Sequence, residues 1–247
     1  MDLHLSDEHE ALRETVAEFA RTEVAPVIGE YYARGEFPLP LVRSMADMGL
    51  FGLPFPEEYG GMGGDYVALC VAIEELARVD SSIAITLEAG VSLGAMPIYR
   101  FGSEELKREW LPRLARGEIL GAFGLTEPDA GSDAGGTTTT AVRDGDEWVI
   151  NGSKAFITNS GTAITGLVTV TAVTGRDARG RKEISSILVP SGTPGFTVAP
   201  GYHKVGWDAS DTHELSFEDV RVPLGNLVGE EGRGYAQFLR ILDEGRI

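Results

Sequence analysis

Gly121-Ala-Phe-Gly-Leu-Thr-Glu-Pro-Asp-Ala-Gly-Ser-Asp-Ala-Gly-Gly136 is the point at which the chain changes character. The segment reads as a strand running into a loop rich in Gly, Ser, Thr and Asp. Upstream of it the apolar residues recur at helical spacing. Ser6 can cap a helix whose first turn carries Asp7 and Glu8, the favourable sign for that end of the dipole. Leu12, Val16 and Phe19 follow along one face, and Pro26 marks a break. A short helix is predicted over 40–48, stopped at Gly49. Another follows Asp65, with Val67, Val71, Glu74 and Ala77 along one row. The small, apolar stretch 82–99 predicts a helix buried on several sides. Ser103, Glu104 and Glu105 open the clearest helix, with Trp110, Leu111 and Leu114 as its buried side and Gly117 as its stop.

Downstream the period shortens. Residues 137–142 and 147–150 read as two strands joined at Asp144-Gly145. Further β-branched runs at 166–173, 184–189 and 215–222 predict strands, with an exposed polar loop at 175–180. Helical spacing returns at 234–242. The order predicts an α+β chain: an N-terminal α-helical domain over 1–120, a middle antiparallel β-barrel or sandwich domain over 121–230, and the start of a further, truncated helical domain over 231–247.

The 247 residues are long enough for one large or two ordinary cores. With 21 basic and 38 acidic residues the net charge is −17, which argues against a nucleic-acid partner. An anionic ligand would need local positive potential, for which Lys107, Arg108, Arg143, Lys154, Lys204 and Arg246 are the candidates. The single cysteine, Cys70, lies among apolar neighbours and is expected to be a buried small hydrophobe. One cysteine and four scattered histidines (His4, His9, His203, His213) leave no disulfide and no Cys/His metal cluster in prospect. The N-terminus lacks the basic start and apolar run of a signal peptide. No run approaches the roughly 18 uninterrupted apolar residues of a membrane span, so a cytoplasmic setting is expected.

The loop 124–136 has its own chemistry. Glycines let backbone N–H groups approach a ligand, and the hydroxyls of Thr126 and Ser132 can donate to it. Such a loop suits a phosphate or a polar heterocycle, or is a long hydrogen-bonded turn. It is neither a P-loop nor a Gly-x-Gly-x-x-Gly dinucleotide turn.

Gly124-Leu-Thr-Glu-Pro-Asp-Ala-Gly-Ser-Asp-Ala-Gly135 resembles the first motif of the acyl-CoA dehydrogenase family. Lys154-Ala-Phe-Ile-Thr-Asn159 is similar to the family's second flavin-contacting strand. Arg100-Phe-Gly-Ser-Glu-Glu-Leu-Lys107, Lys204-Val-Gly-Trp207, Ser210-Asp-Thr212 with Glu214–Pro223, and Leu242-Asp-Glu-Gly-Arg-Ile247 match as well, in the same order. The resemblance implies FAD as cofactor and an acyl-CoA as substrate, with an electron-transferring flavoprotein as partner and homo-oligomers when complete. It implies that Phe123, Leu125 and Thr126 lie along the flavin's pyrimidine side, and that Gly131 and Ser132 meet the pyrophosphate. Ser132 also borders the acyl-CoA channel. Phe156 would stack near the flavin, with Ile157 beside it and Thr158 close to N5. Asp243 and Arg246 would border the thioester.

The implied reaction is α,β-dehydrogenation: a carboxylate removes the α-proton as the β-hydrogen leaves as hydride to flavin N5. The family's base is usually a glutamate in a C-terminal helical domain that this sequence is expected to lack, so no catalytic residue is assigned. Glu127 and Glu88 are the acids to weigh, Glu127 as an anchor for backbone N–H groups or a partner of a base, Glu88 as a partnered buried acid. Two departures stand out: Phe156 where the family often has tryptophan, and Asp208 where a basic residue is common. Alternatives within the fold are an acyl-CoA oxidase or flavin monooxygenase. A reading from a different functional class is a non-catalytic acyl-CoA- and flavin-binding piece that needs a separate helical domain.

Overall fold

The structure, a computed structural model, describes residues 4–245. Ser6 caps α1 (Asp7–Phe19) by accepting from the His9 amide at 3.2 Å. Val16 and Phe19 are buried, with Leu12 packed beside them. The helix loosens into a π turn (Ala20–Val24) and breaks around Pro26 before α2 (Ile28–Arg34). α3 (Leu39–Asp47) stops just before Gly49. α4 (Tyr66–Ala77) is capped by Asp65, which accepts from the Ala68 amide at 2.9 Å. Its buried stripe runs through Ala68, Leu69, Ala72 and Leu76, whereas Val67, Glu74 and Ala77 of the predicted row face water. Packing against both α1 and the next helix turns that stripe. It also leaves Cys70 half-buried rather than enclosed.

α5 (Ser81–Glu88), a π stretch (Ala89–Ala95) and α6 (Met96–Phe101) form one continuous 21-residue helix. With a mean hydropathy of 1.3 it is long and apolar enough to cross a membrane, yet 78% of its apolar window is buried in the fold. It is the central helix of the core. α7 (Glu104–Ala115) buries Trp110, Leu111 and Leu114, its first turn capped by Ser103.

The strands are β1 (Leu120–Gly124), β2 (Thr140–Asp144), β3 (Glu147–Thr158), β4 (Thr165–Arg176), β5 (Lys182–Pro190), β6 (Phe196–Val198), β7 (Thr212–Pro223) and β8 (Leu227–Val228). α8 (Gly234–Gly245) follows. The sheet runs β6-β7-β3-β2-β4-β5-β8, and its end strands do not pair, so it is open. Most pairs are antiparallel. β1, however, lies parallel to β4, and β2 meets β4 in one parallel pair at Thr140 and Val173. Gly145, at φ 62°, supplies the left-handed residue of the β2–β3 hairpin.

Period-2 alternation divides β4 between two cores. Val168, Val170 and Ala172 join Trp148, Ile150, Phe217 and Val220 in a sheet cluster. Leu167, from the opposite face, joins Leu188, Val228 and Ile241 in the larger helical cluster. The central helix meets β1 backbone to backbone. A Cβ on Gly94 would lie 2.5 Å from the Gly121 carbonyl oxygen, and one on Gly121 would lie 2.9 Å from the Gly94 Cα.

Gly94→Ala is therefore expected to force the helix off the strand at a cost of about 1–3 kcal/mol, measured by denaturant unfolding. Gly29→Ala, in α2 where a Cβ meets nothing within 4 Å, should leave stability unchanged or slightly raised.

Candidate functional site

A cavity of about 420 Å³ opens between the end of β1, the loop after it, the far end of β3, the central helix and α8. All eight residues assigned by resemblance to the cofactor line it: Phe123, Leu125, Thr126, Gly131, Ser132, Phe156, Ile157 and Thr158. Ala89 and Leu93 of the central helix add one wall, and Tyr235, Phe238, Leu239 and Leu242 of α8 add another. Apart from Leu242, which opens the matched segment 242–247, those residues carry no motif. Their helical spacing shows in the sequence, but which partner the face meets does not.

β1 carries Phe123 to the floor of the cleft, where its ring stacks on Phe238 with centroids 4.5 Å apart and planes at 25°. At the opposite end the register of β3 against β7 slips between Lys154 and Ile157, one extra residue entering β3. This bulge re-aims the strand. Phe156 takes φ 60°, sparsely populated for an aromatic residue, and stands largely exposed at the rim. Its ring stacks on Tyr202 at 4.8 Å. The bulged Ala155 amide donates to the Thr126 carbonyl at 2.8 Å, which ties the β3 wall to the loop.

Inside the loop lies a sealed ion pair. Glu127, 3% exposed, sits 2.8 Å from the ammonium of Lys154, which is 0% exposed. Glu127 also accepts from the Thr138 amide at 2.7 Å, the Thr138 hydroxyl at 2.6 Å and the Thr139 amide at 3.0 Å. Burial alone would raise its pKa, but the Lys154 and Thr138 donors outweigh it and hold the carboxylate near 2. Lys154 moves down to about 8, because burial outweighs its partner's pull. Both groups are charged at neutral pH. The pair gives Glu127 the anchoring role read from the sequence. It also removes Lys154 from the sources of positive potential for a ligand, since its charge is spent inside the protein.

The cleft keeps donors free. Among the described residues, no group bonds to the hydroxyls of Thr126, Ser132 or Thr158. Among the described residues, no carboxylate lines the cavity. Glu88 sits one residue before Ala89 but lines a neighbouring cavity with Tyr66, Cys70 and Ser92. Burial raises its pKa to about 7, opposed by a hydrogen bond with Ser92. Asp243 is exposed and does not line the cleft, and Arg246 lies outside the described residues. Asp208 lines a separate cavity with Tyr202, Lys204 and His213, away from the loop. The other candidate cations are placed elsewhere: Lys107 pairs with Glu104, Arg143 with Glu231, Lys204 donates to the Ser210 carbonyl, and Arg108 faces water. Of the histidines, His9 meets Asp65 and His213 is held between the Ala199 carbonyl and Asp211. Among the described residues no cluster of three or more ligands could hold a metal ion.

Comparison with known proteins adds a second, independent line. The family models for the acyl-CoA dehydrogenase N-terminal domain and middle domain match residues 6–118 and 122–220. A probable acyl-CoA dehydrogenase of Bacillus subtilis (YngJ) is 49% identical over 247 residues, which are 100% of this chain and 64% of the relative. The structure of butyryl-CoA dehydrogenase from Megasphaera elsdenii superposes with a TM-score of 0.94 at 41% identity, covering 100% of this chain and 64% of the other. An acyl-CoA dehydrogenase complexed with FAD, from Bacillus anthracis, superposes at 0.90 with 39% identity, over 98% of this chain and 41% of that one. The chain thus spans a little under two thirds of the curated relative it matches.

Lys154→Met leaves the Glu127 carboxylate buried without its partner and is expected to cost about 3–5 kcal/mol of unfolding free energy. Because the Glu127 pKa is depressed in the fold, its contribution is complete above the ordinary value of 4.5 and fades as pH falls toward about 2. Denaturant titrations through that window should show stability falling in the unmodified chain. Glu127→Gln, with no carboxylate to protonate there, should show a shallower fall.

Proposed function

The chain belongs to the acyl-CoA dehydrogenase family, and from that premise we propose that its cleft holds the flavin end of FAD beside the thioester of an acyl-CoA, for α,β-dehydrogenation. The observation that carries this reading is the convergence of eight residues, drawn from the end of β1 with its loop and from the end of β3, around one cavity where, among the described residues, the hydroxyls of Thr126, Ser132 and Thr158 have no partner. A flat, hydrogen-bonding heterocycle fits such a place: aromatic surfaces bound it, and donors line its edge. A Cβ on Gly131 would meet nothing within 4 Å, so the backbone lies open to a bulky anion there. The absence of carboxylates from the lining suits that charge as well.

FAD, when bound, supplies the hydride acceptor. The protein's own residues bind and orient. In this reading Leu125 and Thr126 hydrogen-bond one edge of the heterocycle, and Gly131 and Ser132 take the pyrophosphate. Phe156 and Ile157 cover a face, with the Thr158 hydroxyl directed at the reacting side. Ser132 and the apolar side of α8 border the acyl path, and the resemblance adds Asp243 and Arg246 beside the thioester. The α-proton requires a carboxylate that the described lining does not contain. Glu127 is fully engaged in its ion pair, so the base is assigned to a group outside this cleft's described walls. An electron-transferring flavoprotein is the proposed electron acceptor, homo-oligomers the proposed assembly and the cytoplasm the proposed setting.

The test is an absorption spectrum of the purified chain after incubation with FAD and removal of the excess. Retained flavin near one per chain is expected, and Gly131→Val should lower its affinity by roughly tenfold or more, the equivalent of about 1.4 kcal/mol. A chain that retains no flavin would overturn the reading. Anaerobic addition of a short-chain acyl-CoA then locates the base. Bleaching by this chain alone would contradict its assignment outside the cleft, and an unbleached band would agree with it.

A further inference from the structure

The Lys154 ammonium has three hydrogens and three acceptors. They are the Leu125 carbonyl at 3.3 Å, the Glu127 carboxylate at 2.8 Å and the Thr171 hydroxyl at 3.1 Å. No hydrogen is left for a ligand, and the side chain is sealed from solvent. These acceptors belong to the cleft loop and to β4, while Lys154 itself is the last paired residue before the β3 bulge. Through Glu127 the network reaches Thr138 and Thr139 at the loop's far end. One cation therefore ties both ends of the loop to two strands.

The orientation of one peptide follows from this. Leu125 C=O and Thr126 N–H belong to the same planar trans unit, so they point in opposite directions. The carbonyl is drawn inward to Lys154, which turns the Thr126 N–H outward. That amide donates to none of the described residues, and Thr126 lines the cleft. The next carbonyl, of Thr126, is fixed by the bulged Ala155 amide. Stability alone is a weak reason for such a pair, because well-packed apolar residues of similar volume do as well or better.

We propose that Lys154 is a positioning residue: by holding the Leu125 carbonyl and Glu127 it aims the Thr126 amide and the β3 bulge at the ligand in the cleft. The proposal rests on the reading of the cleft as a flavin site. Lys154 touches no ligand and acts only through the loop and the bulge.

Two measurements separate this role from a merely structural one. The first compares FAD affinity and melting temperature across Glu127→Leu/Lys154→Met, Thr171→Val and Leu111→Ala, the last in the helical core away from the cleft. The double variant removes both charges and should regain most of the stability lost by Lys154→Met. It should still bind FAD more weakly than the unmodified chain by roughly tenfold or more. Thr171→Val keeps the charges paired and should show a smaller loss, whereas Leu111→Ala should melt lower at unchanged affinity. A double variant that folds and binds FAD as tightly as the unmodified chain would overturn the proposal.

The second measurement needs no flavin. Hydrogen exchange at the Ala155 amide should be slow in the unmodified chain and faster in the double variant and in Thr171→Val, with the β1 amides unchanged. Unaltered exchange at Ala155 would sink the positioning role even if the flavin reading stood. Conversely, no flavin binding by the unmodified chain would sink the cleft reading, while the exchange result alone would still decide whether Lys154 orders the loop.

Discussion

Everything in this fold is hung on a contact that has no side chains in it. Gly94 of the central helix lies against Gly121 of β1, each so close that a Cβ on either would press into the other's backbone. That approach lets a helix of 21 residues lie flat on the first strand. It also brings Ala89 and Leu93 to the cleft wall at the level of Phe123. A larger residue at either place would lift the helix away and open the cavity. Because β1 pairs in parallel with β4, the same contact joins the helical core to the middle of the sheet rather than to its edge.

The cleft itself is built from groups that ordinary stability would not favour. Phe156 holds a left-handed backbone, and Lys154 and Glu127 are both charged and almost wholly buried. Each is costly alone: strain of that kind is worth about 1–3 kcal/mol. Together they are mutually consistent. The bulge that strains Phe156 exposes the Ala155 amide to Thr126, and the lysine one residue earlier draws the preceding carbonyl inward. The surrounding strands supply what the exceptions consume, since β3 and β7 pair on both sides of the bulge.

Much of the architecture could be read from the chain. Ser6 announces its helix as a cap, Asp65 and Ser103 mark where theirs begin, and the structure has each one capping. The change of period near Gly121 marks the passage from helices to sheet. The eight residues that the resemblance assigns to the cofactor lie around one cavity. What failed was local in a different sense. The buried stripe of α4 is rotated from the expected row, and Cys70 is only half-buried. A helix of mixed small and apolar residues takes its inner face from its neighbours, which its own spacing does not contain. In the sequence Lys154 is one of six candidate sources of positive potential for a ligand, because its burial depends on a carboxylate 27 positions earlier in the chain.

The sequence by itself determined the element types, their order and the chemistry of the loop, because capping, periodicity and glycine content act over a few residues. It also determined the family, through motifs whose spacing survives the whole length. Tertiary structure alone decided that β1 runs parallel to β4 and that the sheet stays open. It decided too that α8 closes the cleft with Tyr235 and Phe238, and that a buried ion pair ties the loop to β3. Each of those depends on which distant surfaces meet, and a backbone or side-chain contact across many tens of residues leaves no periodic trace in the chain that makes it.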